Sequence, residues 1–298
     1  MPSPPPVHLI DASIFVFRAW YSMPGEFADP HGRPTNAVYG FARFLCEFLE
    51  ETASRHVAVA FDESLATSFR NELYPDYKAN RDPAPEDLER QFGWCKDLVT
   101  CLGLPVYAHP RFEADDLIAA LARYWRRRGH PVTVVTGDKD LAQLLVEPED
   151  SWWDFARRNR LDADGVKARF GVRPNQIADF LALTGDPIDN IPGVPGVGPK
   201  TAAALLAHFE TIDALFDRLD ELAFLKIRGA RMLGSRLRHH HDTVRLSRQL
   251  TGLEAPIAEV DGIDHDPRSA PDPDRLDVLL DSLGFGQTLR QRLHRLDD

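Results

Sequence analysis

The chain has 298 residues, 43% hydrophobic and 27% charged, enough for one large globular domain or two small ones. No apolar run reaches the ~18 residues of a membrane span, and the opening "MPSPPP" lacks the basic start and apolar stretch of a secretory signal. A formal net charge of −11 excludes indiscriminate nucleic-acid binding through a global positive field, but not a local basic surface.

In chain order, residues 1–6 read as a short disordered tail. "VHLID" and "VAVAFD" are short apolar strands, with the periodic helix "NAVYGFARFLCEFLEETA" between them. Between Leu65 and Phe92 the pattern breaks into polar, charged and proline-rich sequence, long for a connection and therefore expected to be functional or mobile. "LPVYAHP" is a candidate strand, "EADDLIAALARYWRRRG" a helix ending at Gly129, and "PVTVVTGD" and "SWWDF" further strands. Alternating strands and helices predict a mostly parallel sheet covered on both faces. From about Asn175 the character changes to helices joined by Gly/Pro turns. Residues 254–274 read as an irregular acidic segment, and a last helix starts near Asp274. Cys46, Cys95 and Cys101 have no metal-site spacing and read as buried thiols in a reducing cytoplasm. Trp152 and Trp153 read as strand packing, and His239–His241 as a surface run.

Three strands end in aspartate: Asp11, Asp62 and Asp138. In an open parallel sheet the carboxyl ends of the strands form the ligand crevice. Asp140 follows Asp138 closely, and Glu113, Asp115 and Asp116 open the helix after a candidate strand. Unit charges ~6 Å apart at an effective dielectric of ~20 repel by roughly 3 kcal/mol. Hard divalent cations, Mg²⁺ or Mn²⁺, are the natural remedy where no matching His or Cys set exists. So many acids can hold two ions, the arrangement that clamps both oxygens of a phosphoryl displacement.

"LTGDPIDNIPGVPGVGPKTAAALLAHF" then places Asp186 and Asp189 before a glycine-rich hairpin and a helix start at about Pro199–Thr201. Gly193, Gly196 and Gly198 leave backbone N–H groups unobstructed. With Lys200 and Thr201 they form a candidate phosphate site that reads no base.

The motifs "FEADDLIA", "VTGDKDLAQL", "LTGDPIDNIPGVPGVGPKTA", "YPDYKANR", "RLSRQLTGL" and "LLDSLGF" together resemble the 5′-nucleases of the flap-endonuclease type. The likeness is nearest to the 5′→3′ exonuclease domain at the N-terminus of bacterial DNA polymerase I, and covers about Val7 to Leu296. It implies an α/β, PIN-like core over residues 7–174, with a helical arch at about 65–92. A helical helix–three-turn–helix region over 175–298 would complete the site. It also implies that Asp11, Asp62, Glu113, Asp115, Asp116, Asp138, Asp140, Asp186 and Asp189 hold two or more Mg²⁺ or Mn²⁺ ions, and that the hairpin carbonyls hold K⁺. Lys78 and Arg81 would act on the scissile phosphate, and Tyr77 would stack on a base. Lys78 lies where no core-packing argument reaches, so its replacement is expected to cost little stability.

The implied activity is metal-dependent hydrolysis of DNA at a 5′ end or 5′ flap, including RNA primers, in replication and repair. The implied setting is a cytoplasmic monomer off the membrane. No polymerase segment follows in these 298 residues, so any coupling to synthesis would be in trans. A PIN-like ribonuclease and a non-catalytic DNA-junction binder are the alternatives. The hairpin speaks against the first and the full set of acids against the second.

Overall fold

The computed structural model of the chain describes residues 4–63, 67–225, 227, 229–253, 257 and 269–297. Much of the expected acidic segment 254–274 lies outside them, as do the first three residues of the expected tail. Residues 4–6 form neither helix nor strand.

Among the described residues a six-stranded sheet has the order β3-β2-β1-β4-β5-β6. The strands are β1 (Val7–Asp11), β2 (Val57–Asp62), β3 (Val106–His109), β4 (Val132–Val135), β5 (Ser151–Asp154) and β6 (Asn159–Leu161). The first five run parallel, and β6 returns antiparallel to β5. Residues of β1, β4 and β5 are buried on both faces, which is why these strands are apolar runs rather than alternating ones.

On one face α1 (Ala12–Ser22), α2 (Asn36–Thr52) and α4 (Glu86–Cys101) share a core with Ile10, Val59 and Phe61. On the other, α5 (Ala114–Arg127) lays four alanines, 114, 119, 120 and 122, against Leu9, Ala58, Ala60 and Val134. Cys46, Cys95 and Cys101 are buried free thiols, and Trp152 and Trp153 are buried strand residues, as their sequence context implies.

A second core lies in the helical part: α6 (Ala163–Phe170), α7 (Ile177–Thr184), α8 (Pro199–Phe209), α9 (Ile212–Asp217), α10 (Ala230–His239) and α11 (His241–Thr251). The predicted helix start at Pro199 is observed, with Gly198 as its cap. Residues 175–298 are not one packing unit, however. The last two helices, α12 (Pro273–Ser282) and α13 (Gln287–His294), return to the α/β core through Leu276, Leu280, Leu289 and Leu293. Arg292 of α13 is bidentate to Glu50 of α2 at 2.9 and 2.6 Å.

The expected arch segment is not a free loop. Its described part forms a short helix, α3 (Phe69–Leu73), then turns bonded to residues 187–190, then the start of α4. The hairpin glycines also divide by task. A Cβ at Gly193 would collide with the backbone of Thr184 and Gly185, whereas one at Gly198 would meet nothing within 4 Å. Gly193 is therefore a packing residue of the helical core, and Gly198 alone of these two is open to a ligand. We predict that Gly193→Ala costs ~1–3 kcal/mol, read as a lower urea midpoint, while Gly198→Ala stays within about 0.5 kcal/mol of wild type. Equal midpoints for the two variants would contradict this division.

Candidate metal and phosphate site

The sheet order reverses at β1, between β2 and β4, and the acids gather at the carboxyl ends of these strands, where α/β folds place ligands. Asp11 ends β1 and is buried. Thr136, just past β4, donates to Asp11 Oδ2 at 2.9 Å. Asp62 ends β2 and accepts from the Ala114 N–H at 2.8 Å, tying the start of α5 to the strand edge. Asp138 accepts from the Asp140 N–H at 2.9 Å. Burial pushes the Asp11 carboxyl up to about 7, helped by Asp62 and Asp138. Burial and then Asp138 push Asp140 to about 7. Burial, with Asp138 and Asp11, also raises Asp115 well above the carboxylate range, and burial raises Asp138.

The chain supplies its own cations to the rest. Arg70 of α3 is buried and clamps Asp116 with two bonds of 2.6 and 2.8 Å, while its Nε donates to Leu250 O at 2.8 Å. Lys78 Nζ lies 3.1 Å from Glu113 Oε2. Tyr77 donates its hydroxyl to the same oxygen at 2.9 Å. Arg81 pairs with Asp189. Lys139 lies 2.9 Å from Asp186 and 3.3 Å from Asp140. Burial alone would raise Glu113, but Lys78 and Arg70 beside it hold it below the ordinary value.

Three expectations change here. Asp116 is set apart from the ligand candidates: both its oxygens face Arg70, and Oδ2 also accepts from the Glu113 N–H at 3.0 Å. It is a structural acid joining α5 to α3 and α11. Tyr77 is only 3% exposed, so its ring is not available to a base, and its part is to hold Glu113. Lys78 is not a solvated side chain: it is 9% exposed, it sits at φ +55, and its N–H donates to Asp189 O at 3.0 Å. Its replacement is therefore expected to cost appreciable rather than little stability.

Arg70 and Lys139 escaped the sequence reading. Arg70 sits in a stretch so polar that it read as solvated. Lys139 stands inside "GDKD", where only the flanking acids drew notice, although a cation between them was the available signal.

As the chain stands, no three acid, His or Cys side chains among the described residues converge closely enough to grip an ion. The donor set nevertheless fits a hard divalent cation. It is all oxygen, Asp11, Asp115 and Asp140 resist ionisation through burial and mutual repulsion, and Glu113 Oε1 is buried without a hydrogen-bond partner.

At the helical side, α8 opens the hairpin end. Lys200 is exposed, without an ion-pair partner among the described residues. Gly198 O accepts from the N–H groups of Thr201 and Ala202 at 3.0 Å each. The His239–His241 run lies on the surface where α10 meets α11.

A doubly wound α/β unit with buried carboxylates at its switch point, backed by a helical hairpin unit, defines the PIN-like class. The sequence matches the family described as 5′-3′ exonuclease, N-terminal resolvase-like domain, over residues 6–171. It matches the 5′-3′ exonuclease C-terminal SAM fold over residues 172–271. The chain belongs to this 5′-3′ exonuclease family. It is 39% identical over 296 residues to DNA polymerase I of Mycobacterium bovis, covering 97% of this chain and 31% of that protein. It is 37% identical over 292 residues to the thermostable DNA polymerase I of Thermus aquaticus, covering 96% of this chain and 33% of that protein. The chain thus spans about a third of these relatives. In fold it is similar to bacteriophage T5 5′-exonuclease with bound zinc, at a TM-score of 0.66 and 19% identity over 97% of each chain. It is also similar to the catalytic core of Rad2 in complex with DNA substrate, at 0.63 and 17% over 98% of this chain and 92% of that one.

Two stability predictions follow from the charge balance. Removing one partner of a buried pair leaves the other charge uncompensated, so Arg70→Met should cost ~3–5 kcal/mol in chemical denaturation. Asp11 acts oppositely. Its carboxyl rises from an ordinary value of 3.8 to about 7 on folding, so the native state holds the proton more tightly than the unfolded chain. Its stabilising share is complete below the unfolded value and is lost as pH rises through about 7. At pH 8 the ionised group opposes folding, so Asp11→Asn should raise the Tm of the metal-free protein, by about 2–4 °C per kcal/mol relieved. A lower Tm for Asp11→Asn in EDTA would contradict the burden assigned to Asp11.

Proposed function

We propose that this chain is a divalent-metal-dependent, structure-specific 5′-nuclease that hydrolyses phosphodiesters in DNA at a 5′ end or at the base of a 5′ flap. One observation carries the reading: carboxylates buried at the strand edge, one with an unpartnered oxygen, are met by cations of the 70–81 segment, and the chain runs on from Asp189 into a hairpin whose Gly198 is open. Asp11, Asp62, Glu113, Asp115, Asp138, Asp140, Asp186 and Asp189 are the residues that would hold Mg²⁺ or Mn²⁺. Bound there, such ions supply Lewis acidity to water and neutralise charge on the leaving oxygen.

The other parts belong to the chain itself. Lys78 and Arg81 stand over Glu113 and Asp189, positioned to exchange a carboxylate for the scissile phosphate as its charge grows. Lys139 holds Asp186 and Asp140 in place. The open N–H groups at the start of α8, with Lys200 and Thr201, take a backbone phosphate away from the cleavage point and set register without reading sequence. K⁺ at the hairpin carbonyls would add to that contact.

The division at residue 174/175, between a PIN-like core and a helical DNA-binding region, belongs to the same proposal. The matches to DNA polymerase I support work on DNA in replication and repair; action on flaps and RNA primers, as a monomer in the cytoplasm, is part of the same proposal. No helix among the described residues is long and apolar enough to cross a membrane.

The test is cleavage of a labelled 5′-flap duplex with Mg²⁺ and with EDTA. Cleavage at the flap base that requires the metal is expected; a folded, Mg²⁺-loaded protein that leaves the flap intact would overturn the reading. Lys78→Ala should lower single-turnover cleavage by ~10²–10³. It should also lower the metal-free Tm, since Glu113 loses a partner. Lys78→Arg should restore part of the rate. Unchanged cleavage by Lys78→Ala would remove Lys78 from the chemistry.

A further inference from the structure

Gly196 is the tip of the hairpin, at φ +79, a conformation that L side chains rarely adopt. Space is its second requirement. A Cβ there would collide with the guanidinium of Arg236, which comes from α10 and lies against the glycine. Arg236 Nη1 donates to Pro195 O at 2.8 Å. The exposed Pro195 and Gly196 thus form a seat for one cation reaching over from the next helix pair.

That bond uses one of five guanidinium N–H groups. Among the described residues Arg236 has no ion pair, and its Nε and Nη2 have no partner. Arg70, Arg126, Arg290 and Arg292 each meet a carboxylate. Arg236 is anchored on a carbonyl, which fixes its position but leaves its charge unneutralised. Gly198, with nothing against it, and Lys200, exposed and unpaired among the described residues, follow Gly196 in the chain at the start of α8.

We propose that Arg236 is a phosphate-binding residue of the hairpin site, held by Pro195 O and Gly196 so that its remaining N–H fork meets a second backbone phosphate of a nucleic-acid duplex. The inference rests on the nuclease reading above. It gives Gly196 a task distinct from that of Gly198: the latter lets phosphate approach the backbone, while the former makes room for the arginine. Since phosphate contacts carry no sequence information, Arg236 contributes affinity and register rather than base preference.

The test measures equilibrium binding of a fluorescein-labelled 5′-overhang DNA duplex in Ca²⁺ across a salt series, with thermal melting of each variant alongside. Each neutralised phosphate contributes about 0.9 to the slope of log K against log salt. Arg236→Ala should reduce the slope by about that amount, equally for duplexes of different sequence. Arg236→Gln, which keeps an N–H for Pro195 O but no charge, should do the same and serves if the alanine variant does not fold. Arg236→Lys should keep most of the slope while binding more weakly, because a point charge lacks the anchored fork. An unchanged slope in folded Arg236→Gln would overturn the inference, and a lower Tm with an unchanged slope would reduce Arg236 to a clasp of the hairpin. If wild type itself shows no salt-dependent duplex binding, it is the nuclease reading that falls.

Discussion

Like charges gathered in a poorly solvated place are the constraint to which the rest of this structure answers. Two unit charges ~6 Å apart at an effective dielectric of ~20 repel by roughly 3 kcal/mol, and at the strand edge Asp11, Asp115 and Asp140 each feel like charge from neighbouring aspartates. A fold of ordinary stability, ~5–15 kcal/mol, does not tolerate that unaided. The structure relieves it in two ways. Asp11, Asp115, Asp138 and Asp140 hold their protons more tightly than exposed carboxyls do. Glu113, Asp116, Asp186 and Asp189 are met by Lys78, Arg70, Lys139 and Arg81.

The cations come from distant parts of the chain, so relieving the acids also assembles the molecule. Arg70 joins α3 to α5 through Asp116 and to α11 through Leu250 O. Residues 76–81 meet the 186–191 turn through several bonds. Asn80 donates to Pro187 O at 2.9 Å, Asn190 donates to Asp76 O at 2.6 Å, and the Lys78 N–H donates to Asp189 O at 3.0 Å. The segment that carries Lys78 and Arg81 is thereby fixed to the turn that leads into the phosphate hairpin. One junction thus joins the 76–81 segment to the glycine-rich hairpin, and Lys78 at φ +55 is the local backbone strain held at it.

Much of this was legible in the sequence for a physical reason. Apolar strands ending in aspartate are a local pattern, and parallel sheets bring such ends to one edge. Five of the six strands, the α8 start at Pro199 and the edge acids therefore followed from periodicity and topology, whereas the three-residue β6, which returns antiparallel to β5, carries too short a pattern to read. What did not follow depends on long-range pairing. Arg70 is buried because Asp116 lies 46 residues away, and no local signal separates it from the solvated arginines around it. Tyr77 looks like a stacking residue until its hydroxyl is seen on Glu113. The three hairpin glycines look alike in the sequence, yet one packs on Thr184, one seats Arg236 and one stays open. The final helices read as part of the helical region because their return to α2 and α4 is a matter of tertiary packing.

The account stands most directly on the claim that the acid edge is a divalent-cation site whose charge the chain's own cations share when no ion is bound. Mn²⁺ binding isotherms for wild type and Arg81→Gln test it without reference to catalysis. Arg81 faces Asp189, so removing its charge takes away both a competitor and a repulsive neighbour. Wild type should bind Mn²⁺ saturably, and Arg81→Gln should bind it more tightly. No saturable binding at millimolar Mn²⁺, or weaker binding to a correctly folded Arg81→Gln, would contradict it.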